Sequence, residues 1–322
     1  MKTKNYEFTG ETKIIMYDDK CIELKRIRAL VNFECCKMKI TIGSLGGWIE
    51  NESNLNNNAW VADDACVFGN AAIYDTALIA EFAMVCDDAN VHGKAYVCGN
   101  AKICGYSHVY HNATVYGNAK IYDSAKIYGN ARVYDDSCVF ENAHVFGKAE
   151  VLGNSRVYGN SAIYESSRIC DTASVYGSSS VCGNACIYED ACVRDYAKIY
   201  ENATIYGRAL IQDNAIIRGN ASIYGDARIN SYANIRYDAN IANTHDYIVI
   251  GPIIDNDNYV SFYRTRCSND TINVAVSSNK FAFNDINDFI SSVYKSNILT
   301  YNAKSKQIYL MLANIAVLKF FI

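Results

Sequence analysis

The sequence predicts a mainly β protein built as a solenoid, and two observations predict it. Every sixth residue from Val61 to Ile241 is valine or isoleucine, 31 positions in succession without a gap. Four residues after each of the first 30, from Ala65 to Ala239, stands alanine or serine. A β-branched residue favours extended backbone and packs inward, while its neighbours along the strand point outward. A period of six drifts around a 3.6-residue turn, which excludes an amphipathic helix. Only stacked repeats, none of which folds alone, hold so strict a register.

Three segments follow from the pattern. Residues 1–47 break the hexad phase and read as a small β cap. Residues 13–17 and 21–24 flank the polar Asp18-Asp19-Lys20, which suits a hairpin, and residues 27–31 read as another strand. Gly46-Gly47 suits a tight turn into the repeats, with Trp48 as a plug over the first coil. An open solenoid end exposes strand edges, so a cap is expected there.

Residues 48–242 hold the repeats. The unit reads as in Val115-Tyr116-Gly117-Asn118-Ala119-Lys120. Gly-Asn suits a sharp corner because both residues tolerate left-handed backbone. Alanine or serine then re-enters the interior, where a larger side chain has no room. Residues 243–322 read as an α+β module. Residues 247–254, 260–264 and 271–276 have strand character. Asn284 or Asp285 can N-cap a helix through Lys295, with Ile286, Phe289, Ile290 and Val293 on one face. A last apolar helix spans about Lys304 to Lys319. Pro252, the single proline, lies just past the last hexad, since proline cannot donate to a β ladder.

An aliphatic residue followed four positions later by a small one is the pattern of hexapeptide-repeat proteins, and the central tract resembles that superfamily. The resemblance implies a single-stranded left-handed parallel β-helix, with three hexads to each of about 11 triangular coils. Leu24-Lys25-Arg26-Ile27-Arg28-Ala29-Leu30, then Gly43-Ser44-Leu45-Gly46-Gly47-Trp48-Ile49-Glu50 and Asn58-Ala59-Trp60-Val61 resemble the start of one group within it. That group occurs in enterobacteria, phages and prophages, and its members carry labels such as transferase or polymer-forming cytoskeletal protein. Ile250-Gly251-Pro252-Ile253 resembles, more loosely, the C-terminal module of its phage-associated members.

Acyltransferases of the superfamily place a histidine on the solenoid wall. The resemblance therefore points to His108 as the best candidate base, with His92 from the neighbouring coil. Two features argue against that role. No loop interrupts the hexads to shelter a substrate, and no carboxylate is assured beside these histidines. Solvated surface histidines, no catalytic residue and no cofactor are the expectation. Nucleophile-elbow, phosphate-loop and His-Glu-X-X-His motifs are missing. Thirteen cysteines include no Cys-X-X-Cys pair, so no metal site is expected. The nine in the repeats flank inward residues and should point outward as reduced thiols.

The residue after each aliphatic one is Tyr or Phe in 16 of the 31 hexads. Three hexads per coil align these rings in columns. One column holds Tyr74, Tyr110, Tyr128, Phe146, Tyr164 and Tyr200, a second Tyr116, Tyr134, Tyr188, Tyr206 and Tyr224, and the third Phe68, Tyr122, Phe140, Tyr158 and Tyr176. Tyr110, Tyr128, Phe146 and Tyr164 are the candidate contact ladder. Basic residues spread over all three faces and the net charge is −4, so no nucleic-acid partner is expected. Residues 307–322 are apolar but hold Asn314 and Lys319, and are too short to span a bilayer. The N-terminus lacks an apolar leader, which points to the cytoplasm. The sequence thus reads as a non-catalytic structural or interaction scaffold, phage- or prophage-associated. A protein partner or a second copy would meet its tyrosine-rich faces or its end domains. The alternatives are an acyltransferase-like enzyme using acyl-CoA and a polymer-forming cytoskeletal filament.

Overall fold

A valine or isoleucine every six residues leaves room for a two-residue strand before each corner, and the chain forms such strands throughout its repeats. The computed structural model describes all residues except 1–3, 37, 57, 254–257, 266–271, 277–281, 284, 296–302 and 322. The chain is mainly β, a parallel β-solenoid with antiparallel strands before it and a small sheet with two helices after it. It divides into two compact units, Met1–Tyr176 and Gly177–Ile322.

The first unit opens with a hairpin of β1 (Tyr6–Tyr17) and β2 (Lys20–Ala29). Asp18 and Asp19 make its turn at φ 48 and 58. The short pair β3 (Phe33–Cys35) and β4 (Met38–Ile40) follows. Next, β5 (Leu45–Ile49) pairs antiparallel with β2 and parallel with the first coil at Trp48↔Cys66. Two-residue strands then recur every six residues, from β6 (Trp60–Val61) to β25 (Ser174–Val175). From β9 (Leu78–Ile79) to β22 (Arg156–Val157) each pairs in parallel with the third strand before and after it, as Val85 does with Val67 and Ile103. Three hexads therefore close one coil, and hydrogen-bonded partners such as Asn100 and Asn118 stand 18 residues apart. With the repeats of the second unit the chain has about 11 coils.

The interior is a column of aliphatic side chains, all fully buried from Val61 onward, lined at the corners by alanines such as Ala131. Serine substitutes there because its hydroxyl donates back to a carbonyl three residues earlier. Ser107 reaches Cys104 O and Ser137 reaches Tyr134 O, both at 2.7 Å. The corner residue is left-handed, and Gly99 shows why glycine recurs: a Cβ there would meet the backbone of Gly117 at 2.7 Å. Other corners use Asp or Glu, a solution that the Gly-Asn reading did not anticipate. Asp75 and Asp87 adopt φ 61 and 57. Their carboxylates accept the N–H of Gly93 and Gly105, one coil on, both at 3.0 Å. This bond offsets the cost of a left-handed non-glycine residue.

The start of the solenoid departs from expectation in four ways. Ile27 to Ala29 complete β2 instead of forming a separate strand. Gly46 and Gly47 lie inside β5, where a Cβ would meet Ile27 and Trp60 at 2.6 Å or Ala65 O at 2.7 Å. They serve close approach, not a turn. Trp48 does not plug the coil, since Ile49 points inward and Trp48 lies on the outer wall with Cys66, Phe68 and Cys86, packed against Ile15, Tyr17, Ile22 and Leu24 of the hairpin. Phe68 is consequently buried, edge-on to Tyr17 at 5.0 Å, and is no exposed rung. Cys66 and Cys86 face out from the coil yet are covered by the same hairpin.

The second unit continues with coils from β26 (Ser180–Val181) to β36 (Asn240–Ile241). A four-stranded antiparallel sheet follows: β37 (Tyr247–Ile253), β38 (Asn258–Arg264), β39 (Ile272–Val276) and β40 (Ala282–Phe283). Two helices complete it, α1 (Ile286–Lys295) and α2 (Ala303–Phe321). Ile286, Phe289 and Val293 form the buried face of α1 against Val260, Phe262 and Val274. The sheet covers the last coil, where the backbone N–H of Asn234 donates to Ser261 Oγ at 2.8 Å and the Tyr247 hydroxyl donates to Arg228 O at 2.7 Å. Among the described residues no helix is long and apolar enough to cross a membrane.

Candidate functional site

One wall of the first unit gathers the sequence's candidate residues. The strand residues Asn90, His108, Lys126, His144 and Ala162 lie in register on successive coils. Beside them runs a ladder of rings, because each coil places its next residue one rise above the last. Tyr74, His92, Tyr110, Tyr128, Phe146 and Tyr164 stack with centroids 4.6, 5.0, 5.0, 4.8 and 5.0 Å apart and planes within 9° of parallel. The structure thus joins all four residues of the expected contact ladder and adds two. His92 is a rung, although it occupies a position where the sequence reading sought only Tyr or Phe. His111 sits at a corner with its ring edge-on to Tyr110 at 4.8 Å.

Stacking defines what His92 can do. Tyr74 and Tyr110 cover both faces of its imidazole, which leaves only the ring edge for hydrogen bonding. His92 Nδ1 lies 3.8 Å from Asp75 Oδ2, so an acidic partner does stand beside it. That oxygen already accepts the Gly93 N–H. Burial holds the His92 pKa below its ordinary value; Asp75 opposes this, and His108 and His111 add to it. Burial and then Lys126 depress His108 and His144. All three are neutral imidazoles at neutral pH, so each could accept a proton. A base must also hold a substrate within hydrogen-bond reach. Lys126, the residue in register between His108 and His144, offers each of them a positive neighbour and no orienting carboxylate.

Two further ladders line the first unit. Tyr116 stacks on Tyr134 at 4.7 Å, and Tyr122, Phe140, Tyr158 and Tyr176 stack at 5.1, 4.7 and 4.7 Å. In the second unit Tyr188, Tyr206 and Tyr224 stack at 5.0 and 5.1 Å, while Tyr200 meets the Arg218 guanidinium at 5.7 Å. That unit also holds a cleft of about 550 Å³ lined by Asp195, Tyr196, Asp213, Asn214, Tyr232 and Tyr259. No histidine lines it, and His245 is exposed in the turn Thr244–Asp246.

Residues 125–141 match the family model described as the YdcK beta solenoid repeat. The chain carries a β-solenoid repeat. The match spans about one coil of the β-solenoid, including the rungs Tyr128 and Phe140. No curated protein matches the chain.

Proposed function

We propose that this β-solenoid is a non-catalytic scaffold that presents its aromatic ladder to a second copy of the chain. The parallel stack Tyr110–Tyr128–Phe146–Tyr164 carries this reading. The rings are half-buried and held on both sides by neighbours, so little side-chain entropy remains to be lost on association. Two copies share one rise per coil, and a periodic ladder is therefore commensurate with itself over its whole length. The resemblance of the start of the chain to phage and enterobacterial hexapeptide-repeat proteins supports a cytoplasmic, phage- or prophage-associated setting. Sedimentation of Tyr128→Ser tests the reading: the variant should be folded and lighter than the wild type.

The His92–Asp75 pair favours a second reading, an acyl-CoA-dependent transferase. Calorimetric titration with coenzyme A separates the two. The scaffold takes up none, whereas micromolar binding that weakens in His108→Ala establishes the enzyme.

A further inference from the structure

Cys86 and Cys104 are the one pair of cysteines in the sequence separated by a full coil. Their inward neighbours Val85 and Ile103 are paired in register, which places one thiol directly above the other. The Sγ atoms are 2.7 Å apart, closer than two unbonded thiols rest. Asp87 turns the corner next to Cys86, and its carboxylate joins the two sulfurs in a group whose ligand atoms all lie within 4.8 Å of one another. Tyr17 reaches in from the hairpin, 69 residues away in the chain. Its hydroxyl lies 3.2 Å from Cys86 Sγ and donates to Asp87 Oδ2 at 3.3 Å. Leu24, Trp48 and Phe68 close the apolar side, while Cys104 and Asp87 keep a path to solvent.

We propose that Cys86, Cys104 and Asp87 form a binding site for a borderline-soft divalent cation, zinc, under the hairpin. Two thiolates and one carboxylate are a donor set for zinc, with Zn–S near 2.3 Å and Zn–O about 2.0–2.2 Å. A tetrahedral ion needs the sulfurs about 1 Å further apart than they stand, within reach of small rotations of the two side chains. Binding releases two thiol protons to solvent as the two Zn–S bonds form, and involves no redox step. The Tyr17 hydroxyl donates to Asp87 Oδ2 and so orients that carboxylate from outside the ligand set. The ion then ties two adjacent coils together beneath the hairpin that shields them.

The test uses the reduced full-length chain, stripped with a chelator and titrated with zinc against a chromophoric competitor. Cobalt substitution supplies a thiolate-to-metal absorption band. One equivalent should bind per chain. Cys104→Ser should abolish binding, Tyr17→Phe should weaken it by roughly 10–100-fold, and Cys138→Ser, remote from the hairpin cluster, should leave it unchanged. Tyr17→Phe keeps both sulfurs, so it answers even if Cys104→Ser unfolds. The proposal fails if the wild type takes up no zinc, or if Cys104→Ser binds as well as Cys138→Ser. It fails equally if the reduced chain only re-forms a Cys86–Cys104 disulfide in air.

Discussion

Ala131 is fully buried beside a corner, three residues before Tyr134, whose ring lies on the outer wall against Tyr116. The six-residue period alone tells these positions apart, because side chains alternate along a strand. Ala131→Leu overpacks the corner, which typically costs about 1–3 kcal/mol, and the strain repeats against the coils above and below. Tyr134→Ala should lower the melting temperature clearly less. Equal shifts would contradict the inward and outward assignment. The acidic corners were not legible in the same way, since Asp in a polar loop carries no visible mark of left-handed backbone. Asp135 has φ 57 and accepts the Gly153 N–H at 3.1 Å. Asp135→Ala loses both that bond and the tolerance for this conformation, roughly 1–2 kcal/mol. Asp135→Gly loses only the bond and should unfold at a higher denaturant concentration than Asp135→Ala.

Among the elements, the repeats were the most legible because each hexad repeats the same packing problem. The cap was less so. Its hairpin turn was visible in Asp18-Asp19-Lys20, but Trp48 and Phe68 read as exposed or plugging residues until β1 and β2 were laid over the outer wall. A covering element 20 to 70 residues away leaves no trace in a local period. The histidine wall makes its own prediction. His92, His108 and His144 have pKa values below 6.5 in the fold, whereas the unfolded chain titrates near 6.5. Between those values the unfolded state binds more protons, so stability is full above pH 6.5 and declines as pH falls through the folded values. The denaturant midpoint should therefore drop between pH 7.5 and pH 5.5, and the double variant His108→Gln/His144→Gln should drop less. An identical decline in both proteins would show that these imidazoles are not held neutral by the fold.

For the whole molecule, both ends of the solenoid are covered, one by β5 and its hairpin, the other by the sheet that begins at Tyr247. Growth by end-to-end stacking would have to displace these elements, which disfavours a filament built through strand edges. Association through the walls meets no such obstacle. The wall ladder was legible in the sequence as a column of Tyr110, Tyr128, Phe146 and Tyr164, and the 18-residue coil already set Cys86 above Cys104; that His92 stacks as a rung, and that Tyr17 of the hairpin closes over Cys86 and Asp87, depends on side-chain placement that no local period marks.

The molecular mass in solution decides whether the aromatic ladder is a contact surface. Sedimentation equilibrium of the wild type across a range of concentrations should give a multiple of the 35.8 kDa chain, and Tyr128→Ser/Tyr164→Ser should shift it toward the single chain while its circular dichroism stays unchanged. A wild type of 35.8 kDa at every concentration, or a folded variant with undiminished mass, would contradict the claim that the aromatic ladder is the contact surface.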